Sequence, residues 1–318
     1  MKTIFKNFYK SFLPERLRLN IRSLINISSY PTEIENLRKE LLYLKVLHYY
    51  EHNNITQYRN EIEYLNKLGT LTPFPYKRTD KELTNINGYY DDIKKMPFVL
   101  HKKKKLYFPR HYNVEKAKQT YLNYFIGENI LEGGFLEKAP HQYTTESFSV
   151  INEDIVLDIG AAEGLFLLDV IERVKKGYIF ESEKIWKEAL SATFEPFKEK
   201  VTIINKFASN KDSYNELTID SCLKNEHGSI FIKMDVEGSE NLVLSGAKNV
   251  LSRKNNIRAA CCTYHNQDDA ALLELFFENL NYSTEFSNGY MLFHLDKNIK
   301  PPYFRKGVIR AKKNVDEI

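Results

Sequence analysis

Two carboxylates in the second half of the chain each follow an apolar run, as residues that end buried strands do. Asp158 ends one run, and Glu181 ends the next, 23 positions further along. A turn from Gly160 to Gly164 comes directly after the first acid. Glycine lets such a turn fold tightly and approach a ligand, and an acid at the second strand end can accept hydrogen bonds from ribose hydroxyls. The pattern predicts that these four residues bind a nucleotide-like ligand.

The glycine spacing separates two classes of nucleotide ligand. A dinucleotide-binding turn reads Gly-x-Gly-x-x-Gly and cradles a pyrophosphate, whereas Ala162 stands here in place of the second glycine. S-adenosylmethionine has no pyrophosphate and carries an amino acid and a sulfonium, whose positive charges suit an acidic strand end better than a bare helix N-terminus does. The turn, with Ala161, is therefore predicted to bind S-adenosylmethionine. A nicotinamide-dependent oxidoreductase is the less favoured alternative.

Asp235 and His265 are the candidate catalytic residues on the acceptor side. Each follows a predicted strand parallel to the one that ends in Asp158, so both are expected to open onto the same crevice. An alcohol acceptor is a poor nucleophile, and His265 is a candidate general base because imidazole titrates near neutral pH. Alternatively, Asp235 and His265 bind Mg²⁺ or another divalent metal that lowers the pKa of the hydroxyl. The sequence leaves both mechanisms open.

The elements that must hold these residues follow the alternation of a parallel α/β sheet after residue 150. Strands are predicted at 154–158, 177–181, 201–205, 229–235 and 257–263. Helices are predicted at 163–174, 184–193, 239–252 and 268–280. A terminal hairpin is predicted at 281–286 and 290–295, across Asn288-Gly289. The pattern predicts a doubly wound, Rossmann-like sheet of seven strands with a C-terminal hairpin, as in class I methyltransferases, over 131–300, followed by a basic tail at 301–318.

The first 130 residues have a different pattern. Residues 1–70 are predicted to be mostly helical, with helices at 32–50 and 55–68 that are candidates for a homo-oligomer contact. A basic amphipathic stretch at 2–25 is a candidate for peripheral contact with an anionic membrane, or for docking on the protein itself. Residues 71–130 are predicted to be a mixed linker and cap region.

Charge and cysteine content narrow the class of protein further. The net charge is +4, and the run Lys102–Lys105 is interpreted as a solvated face rather than a nucleic-acid surface. Cys222, Cys261 and Cys262 have no zinc-binding spacing and fit a reducing cytoplasm. No run approaches the roughly 20 apolar residues that a membrane span needs. These features predict a cytoplasmic protein with no nucleic-acid partner.

Over residues 139–295 the sequence resembles the FkbM-type methyltransferases. The resemblance rests on Asp158–Gly164, on Leu217–Asp220 and above all on Ile232–Glu240, which is followed by Val243–Ala247. It implies S-adenosylmethionine as the methyl donor and O-methylation, often of a sugar or polyketide hydroxyl. It also marks Glu237 as a catalytic-site residue. The chain has Ser182 after Glu181 where many members have proline, a difference that keeps the carboxylate.

A Pro-His-x-Tyr stretch before the first strand of the sheet places His141 and Tyr143 as candidates to close over the cofactor, with loop packing as the alternative. The sequence is therefore interpreted as an O-methyltransferase whose acceptor is a sugar, a polysaccharide or a related secondary metabolite. Two alternatives remain: a catalytically inactive nucleotide-binding scaffold, and a methyltransferase that acts on nucleic acid. The Asn/Asp-Pro-Pro-Tyr/Phe motif of amino-group methylation is absent.

Overall fold

The computed structural model describes residues 31–78, 86–128, 134–135 and 138–313, and the chain divides into two compact units, Met1–Pro75 and Tyr76–Ile318. In the first unit, helix α1 spans Pro31–His52 and helix α2 spans Arg59–Leu68, close to the predicted bounds. The basic stretch at 2–25 lies outside the described residues. None of the described helices is long and apolar enough to cross a membrane.

The second unit opens with a small antiparallel sheet and one long helix. The sheet consists of β1 (Gly88–Asp91), β2 (Met96–His101) and β3 (Lys104–Tyr107), and helix α3 spans Val114–Glu128. The chain divides at Pro75 rather than near residue 130, so this predicted cap region belongs to the same compact unit as the large sheet.

The run Lys102–Lys105 lies at the turn between β2 and β3, and most of its charge is paired. Three of its lysines contact carboxylates: Lys102 with Asp169 at 2.8 Å, Lys104 with Glu172 at 3.4 Å, and Lys105 with Asp91 at 3.1 Å. Such pairs neutralise the local field that would attract a polyanion. Lys102 and Lys104 therefore connect the small sheet to residues 169–172, and Lys105 connects two strands within the small sheet.

Seven strands form the large sheet. In chain order the strands that follow α3 are β4 (Asp154–Ile159), β5 (Val174–Phe180), β6 (Val201–Ile204), β7 (Phe207–Ala208), β8 (Glu216–Leu217), β9 (Ile230–Met234), β10 (Ile257–Cys262), β11 (Tyr282–Phe286) and β12 (Val308–Lys313). Of these nine, β7 and β8 pair with each other in a separate two-stranded sheet, and the other seven form the large sheet. The sheet order is β11-β12-β10-β9-β4-β5-β6, with β12 antiparallel to both neighbours and the other pairs parallel. This confirms the predicted doubly wound, seven-stranded sheet. Its order reverses at β4, which places the crevice at the carboxyl ends of β4 and β9.

Short helices connect these strands. They are α4 (Leu165–Val170), α5 (Lys187–Phe194), α6 (Ile219–Cys222), α7 (Glu240–Ser245), α8 (Lys248–Leu251) and α9 (Asp269–Glu278). The single helix predicted over 239–252 is wrong, because the chain breaks at Gly246 into α7 and α8. A Cβ on Gly246 would lie 2.1 Å from the carbonyl oxygen of Ser209, so the chain approaches its neighbour there more closely than a side chain allows.

The predicted terminal hairpin is wrong in its second strand. Residues 290–295 contribute only an isolated bridge between Met291 and Arg305. The antiparallel strand is β12, inside the segment predicted to be a basic tail. Its basic residues concealed it: Val308 and Ile309 are fully buried, while Arg310 contacts Glu285 at 2.8 Å and donates to the Gln142 carbonyl. An arginine whose charge and N–H groups have partners can therefore lie in a buried strand beside aliphatic residues.

A chain shortened to begin at Tyr76 is expected to fold cooperatively, whereas one that begins near Leu131 is not. The shorter chain lacks β3, whose Tyr107 backbone N–H donates to Thr193 Oγ1 of α5 at 2.9 Å. It also lacks Met96 and Phe98, which pack with Ala189 in one buried cluster. Urea unfolding followed by circular dichroism measures whether each of the two shortened chains unfolds cooperatively. A cooperative transition in the shorter chain would contradict a structural role for the small sheet.

Candidate active site

The turn after β4 is built from alternating left-handed residues. Gly160, Ala162 and Gly164 have φ values of 70°, 46° and 84°. A Cβ on Gly160 would lie 1.7 Å from the Asp235 carbonyl oxygen, and one on Gly164 would lie 2.7 Å from the Phe194 ring. The two glycines thus allow the turn to pack against the end of β9 and against α5. Alanine at φ 46° is strained, a feature that concentrates at functional sites.

Glu181 holds the same turn from the neighbouring strand. Its side chain is buried, and its carboxylate accepts hydrogen bonds from the backbone N–H groups of Ala162 at 2.8 Å and Glu183 at 2.7 Å. Burial raises the pKa of Glu181, and the two N–H donors oppose that shift. The backbone N–H of Ala161, in the same turn, donates to the Phe180 carbonyl. The second strand-ending acid and the glycine turn therefore meet as the sequence predicts.

The other N–H groups of the turn are also used within the protein. Gly160 donates to the Phe180 carbonyl at 3.0 Å, and Gly164 donates to the Ala161 carbonyl at 2.8 Å. With Ala161 and Ala162, four of its five N–H groups are committed. A pyrophosphate cradle needs such donors directed at the ligand. The turn instead presents carboxylates, which favour a cationic ligand.

Asp158 is fully buried and forms an ion pair across the sheet. Its Oδ1 lies 3.3 Å from Lys233 Nζ, and its Oδ2 accepts from the Leu167 N–H at 3.3 Å. Lys233 Nζ also donates to the Gly160 carbonyl at 2.7 Å. Burial alone would lower the pKa of Lys233, but the charges of Asp158 and of other carboxylates outweigh it and raise that pKa. The cofactor contact predicted for Asp158 remains a prediction, and the structure gives this residue a structural partner.

Asp235 is the centre of the acceptor side. Its carboxylate accepts from Tyr143 OH at 3.0 Å, and it lies 3.3 Å from a ring nitrogen of His141 and 3.3 Å from one of His265. Tyr264 OH approaches at 3.4 Å. The side chain is 19% exposed, so the group remains accessible to a ligand. Although burial acts to raise the pKa of Asp235, the His141 hydrogen bond and the surrounding positive charges hold it well below its usual range.

His141 and Tyr143 lie against Asp235 rather than over the glycine turn. His141 Nδ1 is 3.1 Å from the Gly127 carbonyl oxygen, and because a carbonyl only accepts, Nδ1 carries a proton. His141 Nε2 then faces Tyr143 OH at 2.9 Å and Cys262 Sγ at 3.2 Å. Both residues thus belong to the acceptor side of the crevice.

His265 is surrounded by carboxylates. Its Nδ1 lies 2.9 Å from Glu240 Oε1 without in-line hydrogen-bond geometry, and its Nε2 lies 3.7 Å from Glu237 Oε2. Burial would lower the pKa of His265, but Glu240 and the nearby charge of Asp235 raise it above the usual value. A raised pKa favours the protonated imidazole, which does not accept a proton. The role of His265 as a general base stays a prediction.

Two groups of side chains in the described part of the chain offer metal-ligand atoms within 4.8 Å of one another at this site. One consists of Asp235, Glu240 and His265, and the other of His141, Asp235 and Cys262. Glu237, by contrast, is 83% exposed, on a strained turn with φ 53°. The predicted metal pair stays a prediction, and Glu240 is the third residue whose ligand atom lies within the same distance.

No protein-family model and no curated protein matches the chain. Solved structures that it resembles include the methyltransferase FkbM from Methylobacillus flagellatus, with 16% identity and a TM-score of 0.44, over 62% of this chain and 52% of that one. Another is an rRNA methylase from Streptococcus thermophilus, with 14% identity and a TM-score of 0.35, over 52% and 89%. A third, from Streptococcus mutans, was solved with S-adenosylhomocysteine and has 14% identity and a TM-score of 0.34, over 51% and 90%. The chain spans about half the length of the Methylobacillus protein.

The strand order decides the architecture. An antiparallel seventh strand inserted between the last two parallel ones, with the order reversing at β4, distinguishes this sheet from a dinucleotide-binding Rossmann sheet. This is the class I methyltransferase fold. Within it, the structure adds Lys233, Glu240 and Cys262 to the residues predicted from sequence. Of these three, Lys233 had a signal in the sequence because a lysine inside an apolar strand is unusual, and Glu240 ends the block that resembles the FkbM-type methyltransferases. For Cys262 the sequence contained no signal.

Proposed function

We propose that the protein is an S-adenosylmethionine-dependent methyltransferase. The observation that carries the proposal is the glycine turn at the switch point of the sheet, of whose five N–H groups three donate to backbone carbonyls and one donates to the Glu181 carboxylate. Glu181 fits the ribose hydroxyls, and the acidic surroundings fit a ligand with positive charge. Bound there, S-adenosylmethionine would supply an electrophilic methyl group. The fold places Asp235 at the neighbouring strand end, on the same crevice.

For the acceptor side we propose that Asp235 aligns a substrate hydroxyl. Its low pKa makes it a weak base, so the contribution we propose is orientation of the nucleophile through a hydrogen bond that the carboxylate accepts from the hydroxyl. His141, whose Nδ1 proton is held by the Gly127 carbonyl, has its Nε2 3.3 Å from Asp235 and 2.9 Å from Tyr143 OH, and we propose that it holds both groups in place. His265 stays the candidate proton acceptor.

The acceptor that we propose is the hydroxyl of a sugar, a polysaccharide or a related secondary metabolite, and it rests on the sequence resemblance. The paired lysines of the β2–β3 turn weigh against a nucleic-acid acceptor. The three cysteines are free thiols, in keeping with the proposed cytoplasmic location. A divalent metal on Asp235, Glu240 and His265 is the alternative means of lowering the hydroxyl pKa. Homo-oligomer and membrane contacts through the N-terminal residues remain predictions.

Glu181→Gln is expected to weaken S-adenosylhomocysteine binding by about 1–3 kcal/mol, because charge-assisted hydrogen bonds to the ribose are lost. Glutamine keeps the side-chain length and can still accept from the Ala162 N–H. Calorimetry measures the affinity, and Glu183→Gln, an exposed acid two residues away, serves as the matched control with unchanged affinity. Wild-type protein that binds NAD and not S-adenosylhomocysteine would overturn the proposed function.

A further inference from the structure

Two buried glutamates beside the glycine turn have no role in the scheme above. Glu163 lies within the turn and is fully buried, and both its carboxylate oxygens are without a hydrogen-bond partner among the described residues. Glu128, the last residue of α3, is 8% exposed, and its Oε2 is likewise unpartnered within the described ranges. Buried polar groups are nearly always hydrogen-bonded, so two such acids at one site call for a ligand.

One hydrogen bond and the charge interactions of this region relate the two acids to each other. The Gly127 carbonyl, next to Glu128, accepts from His141, which fixes the end of α3 beside the site. The charge of Glu128 acts on Glu163, and both act on the buried hydroxyl of Tyr124. The C-terminal end of α3 therefore lies near enough for the charge of Glu128 to act on Glu163.

The counter-charge in this region is already committed. Lys233 faces both glutamates, but its Nζ donates to the Gly160 carbonyl and forms an ion pair with Asp158. Burial, and then the charge of Glu128, raise the pKa of Glu163 well above its usual value. Burial raises the pKa of Glu128 to about 8, an effect that Lys233 opposes and that the charges of Asp158, Asp235 and Asp169 reinforce. Glu128 thus holds a proton at neutral pH until a cation arrives, and the raised pKa of Glu163 acts in the same direction.

We propose that Glu163 and Glu128 together bind the α-ammonium group of the cofactor's amino-acid part, an inference that rests on the proposed function. An ammonium carries three N–H donors, which suit the unpartnered carboxylate oxygens. The sulfonium has no N–H donor, and the ribose hydroxyls are assigned to Glu181. Binding then ionises the two acids and releases their protons to solvent. The affinity for S-adenosylhomocysteine is expected to rise between about pH 6 and pH 7, while its ammonium stays charged. Over this range protons compete less and less with the ammonium for the two carboxylates.

Calorimetry of the full chain with two ligands tests this proposal. S-adenosylhomocysteine carries the ammonium, and 5′-methylthioadenosine is a similar nucleoside thioether without it. In buffers of different ionisation enthalpy at pH 6.5, S-adenosylhomocysteine should release about one to two protons, and methylthioadenosine should release none. Glu163→Gln should bind S-adenosylhomocysteine about tenfold or more weakly and release fewer protons, with its methylthioadenosine affinity unchanged. Glu172→Gln, an exposed acid, is the matched control that should behave as wild type.

The possible outcomes are distinguishable. S-adenosylhomocysteine binding without proton release, or with equal affinity in Glu163→Gln, overturns the assignment of these acids while the proposed function stands. Failure of wild-type protein to bind either ligand overturns the proposed function and this inference with it. If Glu163→Gln does not fold, the difference in proton release between the two ligands on wild-type protein decides the matter.

Discussion

Asp235→Asn is expected to lower methyl transfer by about 10²-fold or more, the cost of a misaligned nucleophile, while S-adenosylhomocysteine binding stays near the wild-type affinity. The carboxylate is the accessible centre of a ring of donors from His141, Tyr143 and His265. An amide in its place removes the negative charge and directs N–H groups at those donors. Turnover is measured with whichever acceptor the wild-type protein methylates in a screen of hydroxylated sugars and metabolites.

Asp268→Asn provides the control for this variant, because Asp268 is exposed and its side chain caps no N–H at the start of α9. It should keep full activity. Full activity in Asp235→Asn would move the acceptor site elsewhere, and loss of S-adenosylhomocysteine binding would make Asp235 part of the cofactor pocket. Chelation separates the two chemistries: if EDTA abolishes wild-type turnover and Mg²⁺ restores it, Asp235 acts with Glu240 and His265 as a metal ligand.

Lys233→Met is expected to reduce the free energy of unfolding by about 3–5 kcal/mol, as when one partner of a buried ion pair is removed. Methionine fills a similar volume, but Asp158 is left fully buried without its counter-charge, and the Gly160 carbonyl loses its donor. Urea unfolding at neutral pH measures the loss.

The double variant Lys233→Met with Asp158→Asn distinguishes this cause from simple packing damage. It should recover a large part of the stability that the single variant loses, since the unpaired charge is gone. A double variant no more stable than Lys233→Met would show that the ion pair is unimportant. If Lys233→Met is as stable as wild type, the lysine does not contribute to stability.

The sequence was sufficient to bring the candidate residues to one edge of the sheet, because the carboxyl ends of parallel strands share that edge. Asp158, Glu181 and Asp235 each end an apolar run, and the sheet brings their strand ends side by side, as predicted. The roles of individual side chains depended on details that periodicity does not contain. Asp158 meets Lys233 because the two are cross-strand partners in the register of β4 with β9, and that register is set by the folded sheet.

Two other features lay beyond reach for a different reason. His141 and Tyr143 are in a loop, and no spacing rule says which of two neighbouring strand ends such a loop will cover. The buried pair Glu163 and Glu128 is separated by a long stretch of chain and joined only when α3 packs over the turn. Polar residues whose partners are distant in sequence look like surface residues until the packing is known.

The insertion of β12 between β10 and β11 has a consequence for synthesis on the ribosome. The strand that fills this gap is the last one of the sheet to be translated, although it lies inside the sheet rather than at its edge. While residues 308–313 are still inside the exit tunnel, β10 has an unpaired edge and β11 has no neighbour to join. An exposed edge invites pairing with other chains. The nascent chain therefore exposes this edge until the strand emerges and fills the gap.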